Sequence, residues 1–260
     1  MSPHLVVENL AKSYGGVQAV RHVSFSLERG EVVAMIGPNG AGKSTCFNML
    51  NGQIVPDAGR IRIGGQDTTG LRPSRVWRHG VGRTFQITAT FASMTVRENV
   101  QVALLSHRRL VRRLVGAAER AQVEEADALL DLVGMGDAAG RPGAELAYGD
   151  LKRLELAVAL ANRPTLLFMD EPTAGMGTVE RGDLMRLAVR IARERAMAVL
   201  FTEHDTDVVF GHADRVLVLA RGEILAEGPP DEIRRDPRVR EVYLGAGSAP
   251  TGLEPDGAGP

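Results

Sequence analysis

The chain has 260 residues, 44% of them hydrophobic and 24% charged, enough apolar surface for a sizeable core and consistent with one α/β unit carrying sub-domains. Lys+Arg 31 against Asp+Glu 32 leaves a formal net charge of -1, so no global positive field exists to draw nucleic acid or anionic lipid. The single cysteine, Cys46, excludes an internal disulfide framework and suits a reducing compartment, and no apolar run approaches the roughly 20 residues that a membrane helix needs.

Residues 1–10 contain Glu8 and Asn9 and lack a basic stretch followed by an apolar one, so they do not read as a signal peptide. Strands are expected at Leu5–Val7, Val23–Leu27, Val32–Ile36 and Ile61–Ile63, with turns at Glu28–Glu31 and Gly64–Gly65. Apolar spacing turns helical over Thr95–Ser106 and Ala117–Val133, which predicts a helical sub-domain spanning about 87–162. The basic stretch His107–Arg113 between these helices reads first as a solvated helix face, with a membrane partner or anionic headgroups as the alternative. A helix at Leu151–Ala161 stopped by Pro164, a buried strand at Leu166–Met169, a helix at Val179–Glu194 and strands at Ala198–Thr202 and Val216–Ala220 then alternate as in a parallel sheet. Arg221-Gly222-Glu223 reads as a hairpin turn, the domain ends near 245, and the Gly-, Pro- and Ala-rich tail 246–260 is expected to be disordered.

The residues Gly37-Pro38-Asn39-Gly40-Ala41-Gly42-Lys43-Ser44, continued by Thr45, fit G-x-x-x-x-G-K-[ST] in full and stand between an apolar strand and a helical run. Glycines there let successive amides and the helix N-terminus face an anion, Lys43 adds a charge for the β- and γ-phosphates, and Ser44 can ligate Mg²⁺. Asp170-Glu171 closes the apolar strand Leu166–Met169, where a parallel sheet presents its ligands. Asp170 suits Mg²⁺ held through water. Glu171, one residue further, can turn toward a water attacking the γ-phosphate as a general base.

From about Leu5 to Leu244 the chain resembles an ABC-transporter nucleotide-binding domain, with the family's motifs in order. The resemblance implies a P-loop NTPase parallel-sheet core with an antiparallel β sub-domain and a helical sub-domain, ATP hydrolysis with Mg²⁺, and a closed pair of subunits sandwiching two ATP molecules. It implies that Tyr14 stacks on adenine; a plain surface or core tyrosine is the bland alternative. Gln86 resembles the glutamine that reaches Mg²⁺ and the γ-phosphate and joins the core to the helices. His204, within Glu203-His204-Asp205, resembles the histidine that contacts the γ-phosphate and holds Glu171; the other five histidines are read as structural.

Leu146-Ala147-Tyr148-Gly149-Asp150 occupies the place of the family's LSGGQ signature, which faces ATP on the partner subunit, and departs from it at three positions. Ala147 lacks the usual hydroxyl and Asp150 replaces an amide, with its carboxylate expected to point outward. Gly177, in Thr173–Gly177, stands at the usual aspartate of the loop after the acidic pair. Within the family, Val81–Gln86, Ala147–Leu156 and Tyr243-Leu244-Gly245 resemble LivG-type subunits of branched-chain amino acid importers. That likeness implies a LivF-type second ATPase subunit or a second copy, two membrane permease chains, a solute-binding protein, and the cytoplasmic face of the cell membrane. Cassettes of other transport systems, soluble ABC ATPases acting on nucleic acid, and a weakly hydrolysing regulatory subunit are the rivals; the second class needs coiled coils, zinc cysteines or tandem domains, and the sequence has none of these.

Overall fold

The computed structural model describes residues 3–84, 90–108 and 117–244. Gln86, residues 109–113 of the basic stretch and the tail 246–260 therefore lie outside the described residues. The chain opens with β1 (Leu5–Tyr14), β2 (Val17–Leu27), β3 (Val32–Ile36), α1 (Lys43–Leu50), β4 (Ala58–Ile63), β5 (Gln66–Asp67), α2 (Pro73–Arg78) and β6 (Val81–Thr84). Helices α3 (Val96–Arg108), α4 (Ala117–Leu132) and α5 (Tyr148–Leu160) come next. Strands and helices then alternate as β7 (Leu166–Asp170), α6 (Thr178–Glu194), β8 (Ala198–Thr202), α7 (Thr206–His212), β9 (Arg215–Ala220), β10 (Glu223–Gly228), α8 (Pro230–Arg235) and α9 (Pro237–Val239).

Two sheets result. One is antiparallel in the order β2-β1-β4-β5; the other runs β10-β9-β3-β8-β7-β6, parallel except for β10. Apart from Asp170 and Thr202 at the C-terminal ends of β7 and β8, strands β3, β7 and β8 are apolar because both faces are covered, and their period-2 alternation sorts the side chains between two cores. Val32, Ala34 and Ile36 of β3, with Leu167 and Met169 of β7 and Val199 and Phe201 of β8, pack toward α3 to α7. Val33 and Met35, with Leu166 and Phe168, Ala198 and Leu200, face the antiparallel sheet and α1.

The hairpin β1–β2 is longer than the apolar pattern predicts. Its outer half, around Gly15-Gly16, is largely solvent-facing and bulged, so it carries no hydrophobic alternation to read. Strand β6 and helices α2, α7 and α8 are four to seven residues long, too short to show a period. Helix α3 starts where its chemistry dictates: the Thr95 amide donates to the Glu98 carboxylate at 2.7 Å and the Glu98 amide donates to Thr95 Oγ1 at 3.2 Å, a reciprocal cap.

Among the helices, α5 begins three residues early, at Tyr148 instead of Leu151. Gly149 and Asp150 are weak helix formers, but the Tyr148 hydroxyl donates to the Ala174 carbonyl at 3.0 Å and fixes the turn from outside. Cys46, in α1, is fully buried in the core under the phosphate loop, and burial pushes its thiol up to about 12. The native chain should therefore resist iodoacetamide at pH 8 and react once unfolded. Rapid labelling of the native chain would contradict this packing.

Candidate nucleotide site

The phosphate loop leaves β3 and enters α1 through three glycines with positive φ: Gly37 at 150°, Gly40 at 80° and Gly42 at 101°. A Cβ on Gly37 would collide with the Leu219 carbonyl oxygen, and one on Gly42 with that of Ala19, so at both positions only hydrogen fits. Gly42 caps α1 without a side-chain bond, which leaves the first amides of the helix facing the concavity. Lys43 is buried; its Nζ donates to the Gly37 carbonyl at 2.6 Å and to that of Pro38 at 3.2 Å. Burial lowers its pKa, against the opposing pull of the Glu171 and Asp170 carboxylates.

This loop forms one wall of a cleft of about 280 Å³ lined by Tyr14, Ala19, residues 39–45, Glu171 and His204. Residues some 190 positions apart in sequence are thus gathered because β3, β7 and β8 are neighbours whose C-terminal ends open on one edge. Tyr14 is 48% exposed at the end of β1, with an aromatic face available for stacking. Ser44 is exposed in the first turn of α1.

His204 Nε2 donates to Glu171 Oε1 at 2.9 Å. Glu171 sits at φ 46°, a left-handed conformation that costs about 1–3 kcal/mol in a non-glycine residue, and its amide donates to the carbonyl and the hydroxyl of Thr202, each at 3.1 Å. Asp170 stands one residue deeper, opposite Thr202 in the β7–β8 register, and its Oδ1 accepts from Thr202 Oγ1 at 2.7 Å. The Arg83 guanidinium lies 3.6 Å from its Oδ2. Sequence reasoning singled out neither Thr202 nor Arg83; both are placed by strand register alone, for Thr202 in β8 and Arg83 in β6 flank β7.

The residues Ala147, Tyr148, Gly149 and Asp150 do not line this cleft. The first helical bond of α5 runs from the Leu151 amide to the Ala147 carbonyl, so the amides of 148–150 stand outside the ladder at the positive end of the helix, with Asp150 in its first turn. Gly177 is the N-cap of α6, and its amide donates to Glu180 Oε2 at 3.3 Å. His4 Nε2 lies 2.9 Å from Thr165 Oγ1 and does not line the cleft.

Residues 20–174 match the family model described as ABC transporter. The chain belongs to the ABC transporter ATP-binding family. Residues 223–249 match a second model, Branched-chain amino acid ATP-binding cassette transporter. The cassette is 39% identical to the high-affinity branched-chain amino acid transport ATP-binding protein BraF of Pseudomonas aeruginosa and 40% identical to LivG of Salmonella typhimurium, in each case over 94% of this chain and 98% of the relative. Among solved structures it resembles the ADP conformation of MJ1267, an ATP-binding cassette of an ABC transporter, at 31% identity and a TM-score of 0.84, covering 94% of this chain and all of the other. A dimeric, post-hydrolysis cassette, MJ0796 bound to ADP and Pi, matches at 25% identity and a TM-score of 0.74, over 87% of this chain and 98% of the other. The P-loop NTPase α/β fold expected from the motifs is the fold of these neighbours, and the cassettes of this family are ATPases coupled to transport.

Proposed function

We propose that this cassette hydrolyses ATP at the cytoplasmic face of the cell membrane to drive uptake of branched-chain amino acids or closely related solutes. The observation that carries the reading is the cleft that joins the phosphate loop, Tyr14 and the Glu171–His204 pair, on a chain whose relatives along 94% of its length are named for branched-chain amino acid transport. Tyr14 stacks on the adenine; residues 37–45 and Lys43 hold the phosphates. Glu171 takes the proton of the attacking water, and His204 holds Glu171 and meets the γ-phosphate.

Among the described residues no group of three or more His, Cys, Asp or Glu forms a self-contained metal cage. The hydroxyl of Ser44 and the carboxylate of Asp170 are hard oxygen donors, which suits Mg²⁺, bound through one or two protein oxygens and the phosphates of its nucleotide. Ser44 and Asp170 would hold it, with Gln86, and it would neutralise charge developing on the phosphates. The amides of 148–150 serve ATP bound on a second cassette, a LivF-type chain or another copy. Gly149 permits close backbone approach, and the missing hydroxyl at Ala147 makes the helix end itself the main attraction.

No helix of the described residues is long and apolar enough to cross a membrane. In this reading two permease chains supply the span. An apolar groove of about 450 Å³ between α2, β6, α3 and α5, lined by Trp77, Phe91, Val102, Ala103 and Val158, suits a permease segment. A solute-binding protein acts only on the permease side. Affinity purification of a Glu171→Gln chain from its native membranes with ATP should bring down two multi-spanning chains and a second cassette. Recovery of ribosomes or nucleic acid instead would sink the importer, and undiminished leucine uptake in cells lacking the chain would sink the solute class.

A further inference from the structure

Beside the Glu171–His204 pair lies a carboxylate to which the reading above gives no task. Glu203, at the end of β8, is 4% exposed. Its Oε1 accepts from the Thr173 amide at 2.9 Å and from the Thr173 hydroxyl at 2.6 Å, and its Oε2 accepts from the His204 amide at 3.2 Å. These three donors are neutral, and Thr173 is itself 2% exposed. A carboxyl group buried among neutral donors is a costly way to fill space, and an apolar or amide side chain of similar volume costs less. What a carboxylate offers is two oxygens that only accept, so that it can bind donors from two loops at once, whereas a glutamine must turn an N–H₂ toward one of them.

The two loops are those of the hydrolytic pair. Thr173 follows Glu171 by two residues, Glu203 immediately precedes His204, and the Thr173–Glu203 bonds form a second tie next to the 2.9 Å contact between His204 and Glu171. The left-handed backbone at Glu171 persists only if its surroundings over-determine it. Thr202 holds its amide from one side, and the turn that follows, closed by the Ala174 amide on the Glu171 carbonyl, is the one that Glu203 grips through Thr173. On the outer side, the Tyr243 hydroxyl lies 3.5 and 3.4 Å from the carbonyl oxygens of Glu203 and His204. Burial, helped by the carboxylates of Glu203 and Asp205, pushes its phenol up to about 12, so it remains a donor.

We propose that Glu203 is a positioning residue for ATP hydrolysis: it fastens the loop of Glu171 to the loop of His204 and keeps the pair in register. The inference rests on the reading of that pair as hydrolytic. In the full chain, Glu203→Ala should lower kcat about 10- to 100-fold, the scale of a small misplacement of reacting groups, while KM for ATP moves by less than about threefold. Hydrogen exchange should quicken in peptides covering 171–178 and 203–209 and stay unchanged over the phosphate loop. Glu203→Gln, which keeps one acceptor, should fall between. Thr173→Val, which keeps the shape and the amide bond but lacks the hydroxyl, should do the same and guards against a Glu203 variant that fails to fold. Turnover within about twofold of wild type in all three variants, with unchanged exchange, overturns the proposal. So does a loss of kcat matched by an equal loss of nucleotide affinity and by exchange raised throughout, which is the mark of a merely structural residue. Equal turnover in wild type and Glu171→Gln would sink the hydrolytic pair instead, and the exchange measurement reads the clamp separately from that failure.

Discussion

Glu171→Gln will reduce steady-state ATP turnover by about 100- to 10,000-fold, the contribution of a positioned general base, while ATP affinity stays near that of the native chain. The substitution is isosteric. Glutamine Oε1 can still accept from His204 Nε2, so the 2.9 Å contact and the left-handed turn at residue 171 have no reason to change. Only the capacity to take a proton from water is removed, and the phosphate loop that supplies affinity is left intact. With hydrolysis blocked, ATP-bound cassettes should accumulate as closed pairs, visible as an ATP-dependent shift in elution volume on size exclusion. Unchanged turnover would mean that the base lies elsewhere.

Lys43→Ala acts on the other half of the site and should weaken ATP binding by about 3 kcal/mol, roughly 100-fold in Kd. In the described state the ammonium is turned onto the Gly37 and Pro38 carbonyls, within reach of the phosphates that the loop cradles. Burial makes this charge costly to hold, and the nearby carboxylates of Glu171 and Asp170 offset part of that cost. Phosphate oxygens offer it charge-assisted bonds that the two carbonyls cannot match, which is why its removal should appear in affinity before it appears in folding. Titration with a fluorescent ATP analogue measures the effect. A Kd within about threefold of the native value would show that the amides of the loop and α1 carry the binding without it.

The two substitutions also divide what could be read from the chain. The phosphate loop was legible residue by residue because its chemistry is contiguous: glycines, lysine and serine within one strand-to-helix turn. Asp170 and Glu171 were legible as the polar end of an apolar strand, and His204 as a lone histidine at the next strand end. The start of α5 lies three residues before the position that local preference predicts. Gly149 and Asp150 argue locally against a helix, and the hydroxyl of Tyr148 bonded to Ala174, 26 positions away, overrides that preference. The short strand β6 escaped for a related reason: four residues that include a glycine and an arginine carry no period, and they form a strand because β7 lies beside them.

Local order in this chain was therefore determined by the sequence alone: apolar runs of both-face strands, the glycine-rich turn, the capped helix at Thr95 and the acidic pair. The companions of the candidate catalytic groups were decided by tertiary structure. Arg83 beside Asp170, Thr202 beneath both acids, Glu203 on Thr173 and Tyr243 over the histidine loop all depend on strand register and on which strand ends share an edge. A buried hydrogen bond carries no local signal, since the donor and acceptor that satisfy one another are set by the pairing of distant strands and not by their neighbours in sequence.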